Sequence, residues 1–367
     1  MDGKKTVYLY QPHHSTQVKN KKIIFDCERM KYPHTGLYHF CLQLGKAIEN
    51  NKDDKEELTF YVREKEHGAF GNNAHYLNQH SLHKFWMPVL SDYNIWHSTY
   101  QGTQYMPTRS NIKVVLTIHD LNFIHEGKSQ DKIKRELKKL QKKIDRADHI
   151  VAISKFTLQD IEKHLDLKGK PATVIYNGCN FVSIPDLKEP EVNPNRKFIY
   201  TIGTITDKKN FHVLPALLVN NDYQLVVSGI VQSEEYFNKI VAQAELHGVS
   251  DRVLFTGAVS ENDKQWFMKN CEAFVFPSLA EGFGLPVIEA MHFGKPVLLS
   301  SLTALPEIGG DAAYYFDSFE PEAMQACFSN SLEHFRKFGE PEKVKQRAAF
   351  FNWDNAAKEY LEIYRQL

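Results

Sequence analysis

The sequence has no surplus of charge: 45 Lys and Arg balance 45 Asp and Glu over 367 residues. A chain without a basic excess exerts no global attraction on nucleic acid, so no nucleic-acid partner is expected. Cysteine is scarce. Cys27, Cys41, Cys179, Cys271 and Cys327 are odd in number, scattered and never spaced C-x-x-C, which argues against a disulfide framework or a cysteine zinc site and suits a reducing compartment. No apolar run approaches the roughly 20 residues that span a bilayer. The start, MDGKKTVYLY, lacks the apolar core and cleavage site of a secretory leader, so a cytoplasmic protein is expected. Internal repeats and low-complexity tracts are absent too. The histidines, His13 and His14 included, lack partners at metal-ligand spacing, so neither a metal nor a cofactor is expected.

What is present is alternation. KKIIFDC reads as a strand, and Leu37, Phe40, Cys41, Leu44 and Ile48 then recur at helical spacing. LTFYV, NIWHS, KVVLTIHD, HIVAIS and ATVIYN follow as strands with helical stretches between several of them. The pattern loosens over residues 180–196, rich in Pro, Asn and charge, which reads as a linker. A second series follows: FIYTIG, YQLVVSG, RVLFTG, AFVFPS, PVLLSS and AAYYFD. Strands alternating with helices predict parallel sheets with crossover helices. The expected fold is α/β, with two doubly wound domains over 1–190 and 191–350 and a cleft between them. Residues 351–367 read as a closing helix, with Ala357, Tyr360, Leu361 and Tyr364 on one face.

The most informative stretch is PSLAEGFGLPVIEAMHFGKPV, residues 277–297. A strand runs into a Gly-containing loop and then a helix that opens near Pro286, a residue suited to a first helical position. Gly282 and Gly284 allow a ligand close to the backbone beside the positive end of that helix, an arrangement that favours phosphate or diphosphate. Glu281 in the loop and Glu289 on the helix suit two jobs, one towards a sugar and one towards a ribose diol. A bland strand–loop–helix turn is the competing reading.

The stretch E-G-F-G-L-P-x-x-E-A-M, bounded by Glu281 and Glu289, resembles the E-x7-E motif of retaining GT-B glycosyltransferases of family 4. FIYTIGTITDKKNF, VLFTGAVSENDKQWFMKNCEAFVFPS, SSLTALPEIGGDAAYYFD and FNWDNAAKEYLEIYRQL are similar to further family segments. So are VLTIHDLNF, ADHIVAISKFTLQDI and VIYNGCN in the first half. The resemblance runs from about residue 23 to the end. It implies a GT-B fold of two Rossmann-like domains, 1–190 on the acceptor side and 191–350 binding a nucleotide sugar, with 351–367 returning to the first.

The same resemblance implies roles. Lys209, in the Gly…Lys-Asn loop, would neutralise the donor diphosphate, where an ammonium stabilises the charge that develops on the leaving group. Many members carry Arg after the loop glycine. Here Gly203 is followed by Thr204, which leaves Lys208 as the substitute cation. Glu281 would hold the transferred sugar and Glu289 the ribose, while Gly282, Phe283, Gly284 and Leu285 shape the donor loop and Thr303 lies near the donor. His119, at a strand tip, would support the reaction centre, and Gly36 would approach the diphosphate from the first domain. Arg29 and His34 flank that loop; a solvated surface role is the leading reading for both, and contact with phosphate or acceptor the alternative.

The implied reaction is retaining, metal-independent transfer of a hexose to a glycan or lipid-linked acceptor, in polysaccharide or O-antigen-type synthesis. GDP-mannose is the first expectation for the donor and a UDP-sugar such as UDP-glucose the alternative. An epimerase, a phosphorylase and a non-catalytic sugar-nucleotide-binding protein share the architecture. The basic stretch 128–146 carries an apolar stripe of Ile133, Leu137, Leu140 and Ile144. Packing on the first sheet is its leading reading; peripheral contact with the inner face of a membrane is the alternative. Tyr93, Trp96, Tyr100 and Tyr105 read mostly as packing residues.

Overall fold

The structure, a computed structural model, describes residues 20–33, 35–88, 90–107, 111–179 and 181–367. His13, His14 and His34 lie outside the described residues. In the first half the elements run β1 (Lys21–Asp26), α1 (Gly36–Asn51), β2 (Glu56–Val62), β3 (His75–Asn78), β4 (Ile95–Ser98), β5 (Lys113–Ile118), α2 (Gln130–Arg146), β6 (His149–Ala152), α3 (Lys155–His164) and β7 (Ala172–Val174). The seven strands form one parallel sheet in the order β3-β2-β1-β4-β5-β6-β7.

The second half runs β8 (Phe198–Ile202), β9 (Gln224–Ser228), α4 (Glu234–Leu246), β10 (Val253–Gly257), α5 (Glu261–Asn270), β11 (Ala273–Phe276), α6 (Leu285–Met291), β12 (Val297–Ser300), α7 (Leu305–Gly309) and β13 (Tyr314–Phe316). Its sheet is parallel in the order β10-β9-β8-β11-β12-β13. Three helices close the chain: α8 (Pro321–Phe338), α9 (Pro341–Phe350) and α10 (Trp353–Gln366). Both sheets are doubly wound, as the alternation of the sequence led us to expect. The crossover from β8 to β9 departs from the α-helical pattern: Phe211–Leu218 is a 3-10 helix with Pro215 inside it, a residue whose missing N–H breaks an α ladder.

Sequence period sets the layers. Ile23 and Phe25 of β1 face one buried cluster and Ile24 the opposite one, as period-two side chains must. The cluster on the Ile24 side takes Leu140 and Ile144 from α2 and Ile161 from α3. The stripe of the basic helix therefore packs on the sheet, while Lys132, Lys134, Lys138, Lys139 and Lys142 stay exposed. The other cluster is continuous from Phe25 and Phe60 through Trp353, Tyr360 and Tyr364 to Phe274, Phe276 and Val287 of the second domain. Trp96 and Tyr105 are core residues, whereas Tyr93 and Tyr100 are half-buried.

α10 lies on the first sheet through a buried polar chain. His97 Nε2 meets Thr117 Oγ1 at 2.8 Å, its Nδ1 meets Tyr364 Oη at 2.6 Å, and Thr117 Oγ1 meets Tyr360 Oη at 2.9 Å. Arg365 adds Nε donation to Glu56 Oε1 at 2.6 Å.

Sheet order also says where ligands go. In an open parallel sheet the strand order reverses at one point, and the loops leaving the carboxyl ends there part to form a crevice. These points fall between β1 and β4 in the first sheet and between β8 and β11 in the second.

Candidate active site

The loops leaving β8 and β11 bring two expected residues together. Lys209 ends a short 3-10 turn, Asp207–Lys209, and its Nζ lies 2.5 Å from Glu281 Oε1. Gly203 leaves room for that reach, since a Cβ there would meet the Lys209 side chain at 3.1 Å. The ammonium also sits 4.9 Å from the centre of the Phe276 ring. Both charged groups are largely shielded from water, with side chains 12% and 13% exposed. Ser278, which the sequence reading did not single out, places its hydroxyl 2.6 Å from the same Glu281 oxygen. Burial alone would push the Glu281 carboxyl up. The Lys209 charge and hydrogen bond, the Ser278 hydroxyl and Lys208 together outweigh it and hold the group below its ordinary range.

Thr303 fixes the loop from behind: its Oγ1 accepts the Glu281 backbone N–H at 3.0 Å. To do so it adopts φ +54°, a left-handed conformation costly for a β-branched residue. Gly284 (φ +106°) is the N-cap of α6, where a Cβ would meet Leu305 at 2.9 Å.

Other members of the expected set sit differently. Phe283 is buried, with its ring 5.5 Å from that of Phe351 and 6.3 Å from that of Tyr176. Only its backbone is left for a ligand. Leu285, the first residue of α6, is half-buried against the core, and Thr204 is exposed. Glu289, on α6, pairs with Lys264 of α5, whose Nζ donates to it at 2.8 Å and which also pairs with Glu261 at 3.0 Å. Burial pushes the Glu289 carboxyl up and Lys264 opposes the shift. No spacing rule in the sequence points to Lys264.

The first domain contributes His119 at the carboxyl end of β5. Its backbone N–H donates to Gln101 Oε1 at 3.0 Å, and its ring Nε2 donates to the Thr99 carbonyl at 2.8 Å. A carbonyl can only accept, so Nε2 carries the proton and Nδ1 keeps the lone pair. Burial pushes the imidazole down to about 4, against the Thr99 hydrogen bond and with the help of the Arg29 charge. At neutral pH this is an uncharged hydrogen-bonding ring. Asp120 accepts the Asn122 N–H at 3.0 Å, a local turn.

The two domains meet at these residues. A Cβ on Gly282 would lie 2.3 Å from the His119 carbonyl oxygen, so the glycine-containing loop passes directly over the His119 backbone. Lys208 pairs with Glu126 at 3.8 Å. Glu307 of α7, also missed from sequence, accepts the backbone N–H groups of Lys155 and Phe156 at 2.9 Å each and so caps α3 from the opposite domain; Tyr176 donates to it at 3.1 Å. Gly36 is the first residue of α1, behind the N-cap Thr35, with open space where a Cβ would point.

Arg29 requires a correction. It is half-buried, its guanidinium carbon lies 4.7 Å from the ring centre of Tyr32 and 4.8 Å from that of Tyr100, and its Nε is buried without a hydrogen-bond partner. Among the described residues no group of three or more His, Cys, Asp or Glu side chains is placed to hold a metal ion, and no helix is long and apolar enough to cross a membrane. Two larger cavities, of about 850 and 1070 Å³, lie elsewhere and are lined by none of these residues.

Two parallel α/β domains that meet over a Gly-containing loop, a Lys–Glu pair and a strand-end histidine define a GT-B glycosyltransferase. Comparison with known proteins agrees on both halves. The family model described as Glycosyltransferase Family 4 matches residues 50–181, and that of Glycosyl transferases group 1 matches 184–337. O-antigen chain mannosyltransferase B of Escherichia coli is 26% identical over 94% of this chain and 100% of its own length. The serotype-specific mannosyltransferase WbdA of the same organism is 31% identical over 61% of this chain, a match that spans 29% of the relative. Among solved structures, sucrose-phosphate synthase from Thermosynechococcus elongatus superposes with TM-score 0.74 at 18% identity, over 95% of this chain and 99% of that one. Anabaena HepE, solved in complex with UDP and glucose, does so with TM-score 0.69 at 16% identity, over 95% and 100%. On both halves the chain is similar to the family 4 glycosyltransferases, on the GT-B fold.

Proposed function

We propose that this glycosyltransferase moves a hexose, mannose from GDP-mannose in the first instance, to a glycan or lipid-linked acceptor with retention of anomeric configuration. The observation that carries the reading is the shielded Lys209–Glu281 pair beneath the His119 backbone, at the second sheet's crevice. Mannose is supported by the relatives, several of which are named as mannosyltransferases, two of them of the O-antigen chain. Polysaccharide or O-antigen-type synthesis is supported by the same names, and we place it on the cytoplasmic side of a membrane as part of the proposal. The exposed lysines of α2 are the face that would meet anionic lipid.

In this account the donor diphosphate takes over the Lys209 ammonium, with Lys208 and the backbone of 282–284 beside it. Glu281 is released to the sugar hydroxyls next to the anomeric carbon. The bond from that carbon to the phosphate oxygen breaks, and a bond to the acceptor oxygen forms on the same face. The acceptor proton passes to the departing phosphate oxygen. Lys209 stabilises the charge that grows there, so positioning and electrostatics carry the rate and no divalent cation is required. Glu289, steered by Lys264, takes the ribose diol. Neutral His119 contributes hydrogen bonding through its free Nδ1, not a proton.

The test is a calorimetric and thermal-shift screen against GDP-, UDP- and ADP-sugars without added metal. A ligand that binds only the folded state raises its melting temperature. The reading expects a response to the GDP series that is lost in Glu289→Ala. A response to the UDP series alone would move the donor to a UDP-hexose, and no response to any series would reduce the protein to a role without donor binding.

A further inference from the structure

The second sheet's crevice holds the Lys209–Glu281 pair. The first sheet has a crevice of the same topological kind, between β1 and β4. Two of the loops that line it carry the Arg29 clamp. Arg29 and Tyr32 follow β1, and Tyr100 follows β4. Tyr100 in turn lies 6.3 Å, ring to ring, from His119, so the clamp borders the reaction centre.

The chemistry of the clamp is one-sided. Other half-buried arginines among the described residues reach oxygen: Arg63 reaches Glu66, Arg146 the carbonyls of Pro107 and Ile112, Arg252 that of Asn221, and Arg347 that of Ile308. Arg29 has no carboxylate, carbonyl or hydroxyl partner among the described residues, and its buried Nε–H is left unpaired. A buried donor without a partner is costly and rare in a folded protein. The guanidinium carbon lies over both tyrosine rings, and the terminal nitrogens, unlike the buried Nε, are the donors left to meet a ligand. The acids nearby are already committed. Glu28 accepts from Lys31 at 3.1 Å and from the Gln104 N–H at 3.0 Å, and Asp26 accepts from the Thr103 hydroxyl at 2.8 Å and the Glu28 N–H at 3.0 Å.

We propose that Arg29, clamped between Tyr32 and Tyr100 at the first sheet's crevice, is a phosphate-binding residue. A guanidinium fork with no oxygen partner among the described residues matches a tetrahedral oxyanion through two parallel N–H···O bonds. The phosphate has two sources in the transferase reading, on which the inference rests for its carrier: the donor's diphosphate, or a phosphate that links the acceptor to a lipid.

The experiment is calorimetry on the full chain with four pairs of probes: GDP and guanosine, UDP and uridine, citronellyl phosphate and citronellol, inorganic pyrophosphate and buffer. Wild type, Arg29→Gln and Arg29→Lys are compared, with melting curves as the check on folding. We expect Arg29→Gln to weaken the phosphate-bearing probes by about tenfold or more, with the phosphate-free partners unmoved, and Arg29→Lys to fall between because it keeps charge without the fork. If Arg29→Gln fails to fold, Tyr100→Leu, which removes one wall of the clamp, gives the same reading. A loss confined to nucleoside diphosphates assigns the donor, and one confined to citronellyl phosphate assigns the acceptor. Nucleoside diphosphates that bind wild type, with all phosphate probes unchanged in the variants, overturn this inference and leave the transferase reading standing. A wild type that binds no phosphate-bearing probe overturns both.

Discussion

The Lys209 ammonium lies 2.5 Å from the Glu281 carboxylate, and the two residues come from loops that leave adjacent strands, seventy-two positions apart in the chain. Each neutralises the other while no donor is bound, which keeps two charges stable in a site that is mostly closed to water. Glu281→Ala should therefore leave an uncompensated ammonium, and Lys209→Ala an uncompensated carboxylate. Transfer should fall about 10²–10³-fold in either variant, the range seen when one charge-stabilising group is removed from a reaction centre. Steady-state turnover with donor at saturation checks this; wild-type turnover in either variant would remove that residue from the chemistry.

Gly282 gives a sharper steric prediction. A methyl group at this position would lie 2.3 Å from the His119 carbonyl oxygen, well inside contact distance, and backbone sits on the other side. Gly282→Ala should force the donor loop off the first domain and lower turnover by about tenfold or more, since misplacement by about 1 Å costs roughly a hundredfold. Small-angle scattering should show a more open pair of domains. Unchanged scattering with unchanged turnover would mean that the approach of the two domains is not needed.

Thr303 tests how the loop is held. Thr303→Val keeps shape and branching at φ +54° but removes the acceptor of the Glu281 N–H. The buried N–H left without a partner should cost about 1–3 kcal/mol, read from denaturant unfolding, with a drop in turnover alongside. Full stability in the variant would show that the loop finds another acceptor.

Much of this fold was legible in the sequence because strands buried on both faces read as unbroken apolar runs, of which KVVLTI at β5 is one. The edge strand β3, His75–Asn78, is short and only partly covered, so it carries no such run and went unread. Pro215 makes the β8–β9 crossover a 3-10 helix, although its apolar content alone would suit an α-helix. At the site, the E-x7-E stretch pointed to Glu281 and Glu289 and the Gly…Lys-Asn loop to Lys209, but no spacing rule places Lys209 against Glu281 or Lys264 against Glu289. Arg29 was misread for a physical reason: an arginine in a loop is usually solvated, and only the return of β4 beside β1 brings the Tyr100 ring over it. Phe283 lies inside the motif, yet its side chain serves the core.

Acid should loosen the attachment of α10. Burial pushes His97 down to about 3, with His119 adding to the effect, and His119 itself lies near 4. In the unfolded chain both imidazoles titrate near 6.5, so the unfolded state binds more protons as pH falls below that value. Stability is then fully present above about pH 6.5 and is lost at about 1.4 kcal/mol per pH unit for each group until the folded values are reached. Melting temperature should be flat from pH 8 to 7 and should decline from 6.5 to 5. His97→Asn should melt lower at pH 8, because the chain to Thr117 and Tyr364 is cut, yet show a shallower decline. An equal decline in wild type and variant would place the acid sensitivity elsewhere.

The most direct measurement of the central claim is the configuration of the product. Incubated with GDP-α-mannose and a mannose-ended acceptor, wild type should give an α-linked product by NMR, and Glu281→Ala should give none while still folding. A β-linked product would contradict retention. Hydrolysis or transfer that survives in Glu281→Ala at the wild-type rate would contradict the role of the Lys209–Glu281 pair.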